Sequence, residues 1–366
     1  MIYLDHGATS FPKPAAVASA VNRALFTCAN PGRGGHKAAL EADRTVFKCR
    51  ERASRMFECE PEQVVFTASC THGLNIALHT LVKPGDPVVI SGFEHNAVTR
   101  PLYGIGAEIL VAGRCLFSPE DTITAFEKAL KNGAKVAVFT HISNVFGYIL
   151  PIRELSDLCR KYTVPFVIDA AQSAGCVPIS LKETGADFIA MPGHKGLLGP
   201  QGTGILLCGG KAKPLLYGGT GSVSASQEMP QWLPDMLEAG TLNVPGIAGL
   251  EHGMMIAQRG MEAHHQMAVA QAQRCADALK DYGCRVYSGL SQSGVVSFVP
   301  PVDCELFAQQ LAGMDVAVRA GLHCAPLAHE SAGTLQTGTV RISFGHDAAS
   351  WQSEAFLKRV KTLLKR

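Results

Sequence analysis

The chain has 366 residues, a length that suits about two domains. Its 47% hydrophobic and 17% charged residues exclude a disordered protein. A net charge of +2, with no dense basic run before the last helix, argues against nucleic acid as a partner. No apolar stretch reaches the roughly 18 residues of a membrane span, and Met1-Ile-Tyr-Leu-Asp5 lacks the basic and apolar segments of a signal peptide. Twelve cysteines are scattered without Cys-x-x-Cys pairs, so neither a disulfide framework nor a metal cluster is expected. They read as mostly small buried hydrophobes in a reducing, cytoplasmic protein.

From about residue 60 to 210, strand-like and helix-like segments alternate. The pattern predicts strands over 63–68, 87–91, 107–112, 135–140, 164–168, 186–191 and 203–208, with helices over 71–81, 118–131 and 151–162. Ser118-Pro-Glu-Asp121 is a strong helix start: serine caps, proline suits the first turn and acids oppose the dipole. After Pro245 one long helix is predicted over 246–282, then strands over 294–298, 315–319 and 339–343 and helices over 304–311 and 349–364. Lys358-Arg359, Lys361 and Lys365-Arg366 read as a solvated helix face and C-terminal charge. The alternation predicts an α/β fold whose mostly parallel sheet is covered by helices on both faces. A smaller α+β domain follows, joined by the long helix. The expected division is a large domain over 13–250 and a small domain over 1–12 and 251–366.

The most informative stretch runs from Met191 to Gly204. An apolar strand ends in Pro192-Gly-His-Lys195 and a glycine-rich loop follows, so Lys195 stands at a strand end with backbone able to approach a ligand closely. The apolar run from Val164 to Ile168 likewise ends in Asp169. Directly after five apolar residues, this carboxylate is expected in a low-dielectric site with a cationic partner; a turn or cap role is the alternative. Sites in parallel sheets lie beyond the carboxyl ends of the strands. A lysine and an aspartate so placed are what pyridoxal 5'-phosphate needs: one forms a Schiff base with its aldehyde, the other pairs with its pyridinium nitrogen.

Other candidates are weaker one by one. Thr67-Ala-Ser-Cys-Thr-His-Gly-Leu-Asn75 joins a strand to a helix, where free N–H groups favour a phosphate. Cys70 and Thr71 lie where those groups point, and ordinary capping by Ser69 or Thr71 is the plainer reading. His95 sits beyond a strand and can stack on a ring and move protons near neutral pH. Asn144 can bond a phenolic oxygen or a carboxylate, and Gln172 can reach the ligand of Asp169. Cys324 has His323 and Arg319 close in sequence. Cationic neighbours lower a thiol pKa, so this is the cysteine expected to react, with a buried structural thiol as the alternative. Arg341, on the strand from Thr339 to Ser343, suits bidentate capture of a carboxylate unless it is an ordinary surface arginine.

Together these stretches resemble the class V aminotransferase family of pyridoxal-phosphate enzymes, and within it the group II cysteine desulfurases and the selenocysteine lyases. The likeness runs from Tyr3-Leu-Asp-His-Gly-Ala-Thr9 to the end of the sequence, and Gly193-His-Lys-Gly196 and Arg319-Ala-Gly-Leu-His-Cys324 are its specific segments. It implies a fold-type-I architecture with a seven-stranded sheet, and a homodimer with its active site at the interface. By the resemblance, Lys195 is the Schiff-base lysine, Asp169 the pyridinium partner, Gln172 the contact to the phenolic oxygen and His95 the stacked histidine. Cys70, Thr71 and His194 match phosphate-binding positions. Thr241 resembles a threonine that reaches the neighbouring subunit's phosphate. Asn144 and Arg341 match carboxylate ligands, with Arg319 as a further substrate contact, and Cys324 resembles the persulfide-forming nucleophile. The implied reaction converts L-cysteine to L-alanine, with sulfur passing to Cys324 and on to an acceptor protein.

Four positions depart from the family pattern. His72 stands for an acid, Pro192 for a serine and Leu322 for a second histidine, and Gly345-His-Asp-Ala348 stands for an aromatic-Asn-Thr run. Selenocysteine lysis, another β-elimination, and transamination with Cys324 incidental stay open as readings, as does a non-catalytic sulfur-transfer scaffold.

Overall fold

The computed structural model describes residues 1–32 and 34–364, so Lys365 and Arg366 of the expected C-terminal charge lie outside the described residues. The chain opens with β1 (Ile2–Tyr3), α1 (Ala15–Thr27) and α2 (Lys37–Phe57). Then β2 (Val64–Thr67), α3 (Cys70–Leu81), β3 (Pro87–Ser91), α4 (Asn96–Ile105), β4 (Glu108–Ala112), α5 (Pro119–Lys131) and β5 (Val136–Thr140) follow. Next come α6 (Ile152–Lys161), β6 (Phe166–Asp169), α7 (Leu181–Thr184), β7 (Phe188–Pro192) and β8 (Gly204–Cys208).

These seven strands form one sheet in the order β2-β8-β7-β6-β5-β3-β4. Only β8 runs antiparallel to its neighbours β2 and β7. Strands β2, β5, β6, β7 and β8 are buried along their whole length, as expected of a sheet with helices on both faces. Their side chains alternate between two cores. Val89, Phe139, Ile168 and Ile189 enter one, and Val88, Val138, Val167 and Ala190 enter the other. The Ser118 side chain caps α5 by accepting from the Asp121 N–H, as the sequence pattern predicts.

The order of strands reverses between β3 and β5, the switch point at which open α/β sheets bind ligands. Asp169 ends β6 with Thr140 and Ala190 as its register partners on either side. Residue by residue, the sheet brings the ends of β3, β5, β6 and β7 to one edge.

The second half contains α8 (Val244–Arg259), α9 (Met261–Asp281), β9 (Arg285–Tyr287), β10 (Val295–Val299), α10 (Cys304–Ala312), β11 (Val316–Ala317), β12 (Arg319–Gly321), α11 (Pro326–Ala332), β13 (Thr339–Ser343) and α12 (Ser350–Leu364). A four-stranded sheet, β12-β13-β10-β9, packs its own core around Phe298, Phe307, Ile342 and Phe356. Ile2 and Leu4 join that core through the pairing of β1 with β11.

Three expectations change. The single helix predicted over 246–282 is two helices, because Gly260 takes a non-helical conformation (φ −145°, ψ 23°) between them. Glycine loses most entropy in a helix and breaks it most cheaply. The strand predicted over 315–319 is split into β11 and β12, which pair with different partners. Finally, α1, α2 and α4 are long helices that the strand–helix alternation did not reveal.

Candidate active site

Lys195 lies in the turn after β7 and lines a cleft with His6, Gly7, Gln172, Cys176 and His346. The glycine after it serves close approach, since a Cβ on Gly196 would collide with the Ala174 carbonyl. Burial lowers the lysine's pKa, while the charges of Asp169 and Cys70 act against that shift. Asp169 is 2% exposed. Its Oδ1 accepts from the Ala171 N–H at 2.9 Å and from the Cys70 thiol at 3.5 Å. Among the described residues its Oδ2 takes no hydrogen bond, which leaves one oxygen of a buried carboxylate for a ligand.

Ser69 caps α3 by accepting from His72 N–H, so the capping role falls to Ser69 rather than Thr71. The N–H groups of Cys70 and Thr71 find no partner among the described residues and open toward an anion at the helix start. The Cys70 thiol itself points at Asp169. Burial, then the Asp169 charge, push its pKa well up, so it is inert as a nucleophile.

His95 caps α4, its Nδ1 accepting from Ala97 N–H at 3.0 Å. Burial lowers its pKa against the pull of Asp169, which leaves a neutral ring with its proton on Nε2. His194 contacts Thr9 Oγ1 through Nδ1 at 3.1 Å and is lowered to about 4 by burial. Gln172 donates to the Gly7 carbonyl at 2.8 Å. Asn144 is buried, and its side-chain amide donates to the His323 carbonyl at 2.8 Å rather than standing free. Thr241 is exposed and lines a separate groove with Ala68, His72 and Gly202.

Cys324 is exposed, whereas seven of the twelve free cysteines are buried. It sits in a turn with His323, both in the left-handed region at φ +56° and +49°. For residues with a Cβ that conformation costs about 1 kcal/mol or more each. Contacts hold it: Asn96 N–H donates to the Cys324 carbonyl at 2.8 Å, and the His323 ring donates to the Thr339 carbonyl at 3.1 Å. Of the two cationic neighbours expected beside this thiol, Arg319 stays charged and His323 does not. Burial first, then the Arg341 charge, push the His323 pKa far down, so that imidazole is neutral. Arg319 is engaged by Asp5.

Arg341 is 3% exposed and is therefore no surface arginine. Its NH1 donates to the Asn144 carbonyl and its NH2 to Asp5.

Sequence reasoning missed three residues around this site. Asp5 binds both arginines, although only its place in the N-terminal motif hinted at a role. Glu94 is wholly buried, bonded to the Ser91 hydroxyl and to Thr140 N–H, and burial raises its pKa to about 8. Its place beside His95 was the only signal. His6 is buried 3.5 Å from Asp347, with neither ring nitrogen hydrogen-bonded. Among the described residues, no group of three or more His, Cys, Asp or Glu is set to hold a metal ion.

The Aminotransferase class-V family matches residues 2–356. The chain belongs to that family. A probable cysteine desulfurase from Methanothermobacter thermautotrophicus is 30% identical over 93% of this chain and 89% of that protein. A second probable cysteine desulfurase, from Pyrococcus abyssi, is 30% identical over 100% and 94%. The apo structure of a cysteine desulfurase from Thermococcus onnurineus NA1 superposes with a TM-score of 0.92 at 30% identity, covering 99% of this chain and 94% of that one. Class V aminotransferases use pyridoxal 5'-phosphate. The site fits it on this chain's own features: a half-buried lysine in a cleft, a buried carboxylate with one unused oxygen, and unpaired N–H groups at a helix start.

Proposed function

We propose that this class V aminotransferase is a cysteine desulfurase that converts L-cysteine to L-alanine and takes the sulfur onto Cys324. One observation carries the reading. An exposed cysteine is fixed, through Asn96 and Asn144, to the loops that flank the lysine–aspartate crevice.

When bound, pyridoxal phosphate supplies an electron sink for the charge left at the substrate's Cα. Asp169 would pair with its ring nitrogen, Gln172 would contact its phenolic oxygen, and the Cys70 and Thr71 N–H groups with His194 would hold its phosphate. Arg341 binds the substrate carboxylate and so orients the Cα–H bond. Lys195, its proton affinity lowered by burial, moves the proton between Cα and its own Nζ. His95 holds a proton at Nε2 beside the substrate's sulfur. Cys324 Sγ, as a thiolate, attacks that sulfur: an S–S bond forms, the Cβ–S bond breaks, the proton of the substrate thiol passes to Cβ, and Cys324 is left as an anionic persulfide as alanine is made.

The rest of the reading follows the same frame. The separate cores support a large domain over 13–250 and a small one over 1–12 and 251–366, although Met254 still packs in the large core and Gly260 marks the joint. The exposed Thr241 supports a homodimer in which its loop reaches the neighbour's phosphate. An exposed Cys324 suits delivery to a sulfur-acceptor protein. The twelve free cysteines support a cytoplasmic place of work. No helix among the described residues is long and apolar enough to cross a membrane.

The test is an assay of alanine and sulfide from L-cysteine with a thiol reductant, run beside the protein's visible absorption. Cys324→Ala should cut alanine formation by at least about a hundredfold while keeping the absorption of bound cofactor. Undiminished alanine from that variant would end the assignment. L-Selenocysteine in the same assay, with the same variant, sorts lyase activity from desulfuration.

A further inference from the structure

The antiparallel register of β12 and β13 sets Arg319 directly opposite Arg341. Like charges across a strand pair repel. Arg341 is also buried, where an unpaired charge is strongly unfavourable. Asp5 resolves both problems. It bridges to Ser343 at the end of β13 and binds both arginines, its Oδ1 being shared between Arg341 and, at 3.4 Å, Arg319 Nε. Its Oδ1 accepts from Arg341 NH2 at 2.8 Å, and its Oδ2 from Arg319 NH2 and Nε at 2.9 and 3.1 Å. One carboxylate between two guanidinium groups leaves one positive charge unbalanced. Arg341 NH1 is fixed on the Asn144 carbonyl at 2.9 Å, yet its buried Nε has no partner. Gly7, which lines the Lys195 cleft, lies against the same guanidinium, where a Cβ would come within 3.2 Å of Cζ.

We propose that Asp5 is the positioning residue that makes Arg319 and Arg341 a single receptor for the substrate's carboxylate. It fixes the plane of the Arg341 fork, keeps the two guanidinium groups together, and leaves a surplus positive charge and a free Nε for one more carboxylate. This rests on the reading of Arg341 as the carboxylate ligand and names the residue that sets its geometry and charge.

The experiment titrates the cofactor-loaded protein with L-alanine and with ethylamine, which is alanine without its carboxylate, and follows the visible absorption. Asp5→Asn should weaken L-alanine by at least about tenfold and ethylamine by less than about threefold. The KM for L-cysteine should rise in step while kcat changes by less than about threefold. Asp5→Glu should recover most of the L-alanine affinity. Unchanged L-alanine affinity, or equal weakening of both amines, overturns the proposal and leaves the functional reading standing. Should Asp5→Asn fail to fold, Arg319→Gln carries the same test. Asp5 is then left to Arg341 alone, the surplus charge is gone, and L-alanine should weaken by at least about threefold with ethylamine unchanged. No change in either ligand overturns it. A wild-type spectrum that responds to neither amine sinks the functional reading, and this inference with it.

Discussion

The crevice at the end of the large sheet and the turn that carries Cys324 are built on opposite principles. The crevice takes Asp169 from the end of a strand buried on both faces and Lys195 from the turn that follows the next such strand, so the register of the two strands and that short turn set their spacing. Burial shifts the groups there: Cys70 goes well up, and His95 and Lys195 itself go down. The turn has no ladder to hold it. It places two residues in left-handed backbone and is kept there by hydrogen bonds donated by Asn96 and Asn144 and by the His323 ring's own donation to the Thr339 carbonyl. The contrast between two thiols shows why. Cys70 lies deep and is held protonated, which suits a wall. Cys324 is exposed, as a thiol must be if it is to pass sulfur to another molecule.

The largest effect should come from the crevice. On the proposed reading, Lys195→Ala removes both the amine that holds the cofactor aldehyde and the base at Cα. Alanine formation should fall by at least about a thousandfold, and the visible absorption of bound cofactor should vanish. Cys324→Ala should keep that absorption, so a spectrum lost in both variants would erase the distinction between the two regions. A smaller effect should come from the tie between them. Asn144→Ala leaves the buried His323 carbonyl without its donor, at about 1–3 kcal/mol. The turn should loosen, and alkylation of Cys324 by iodoacetamide, read by mass spectrometry, should speed up several-fold. An unchanged alkylation rate would mean that the strained turn holds itself.

The same contrast governs what the sequence reveals. Lys195 and Asp169 are legible because an apolar run must end where its strand leaves the core, and the residue at that end is the one a ligand meets. Most of the sheet is legible for the same reason, down to the capped start of α5. The long helices α1 and α2 are not, because neither carries a side-chain cap or acidic first turn of the kind at α5, apart from His36 before α2. The site's second half is illegible for a different reason. Asp5 and Arg341 are 336 positions apart and meet only through the pairing of β12 and β13 and the return of the N-terminal segment to them. His323 was expected to charge the neighbouring thiol. In the fold its ring turns inward to Thr339, an orientation that adjacency in sequence does not specify.

Both regions hide neutral histidines, and acid should find them. His141, which follows β5, and His329, beneath the turn, are each lowered by burial from 6.5 to about 4. His329 contacts Thr334 Oγ1 at 2.7 Å and packs against His323 and Phe146. A group whose folded pKa lies below its unfolded value binds more protons when unfolded. Its stabilising effect is therefore present above the unfolded pKa and is lost as pH falls toward the folded one. The window runs from pH 6.5 down to about 4, with a loss on the order of 3 kcal/mol for the fully buried His141 and less for His329. His329→Gln should flatten the fall of the unfolding midpoint across that window, measured by denaturant melts at several pH values. It should act on the Cys324 alkylation rate more than on cofactor absorption, because its ring stacks on His323, the residue before Cys324. A variant that keeps the wild-type slope would show that His329 already carries its proton in the folded state, and that the acid sensitivity belongs to the crevice alone.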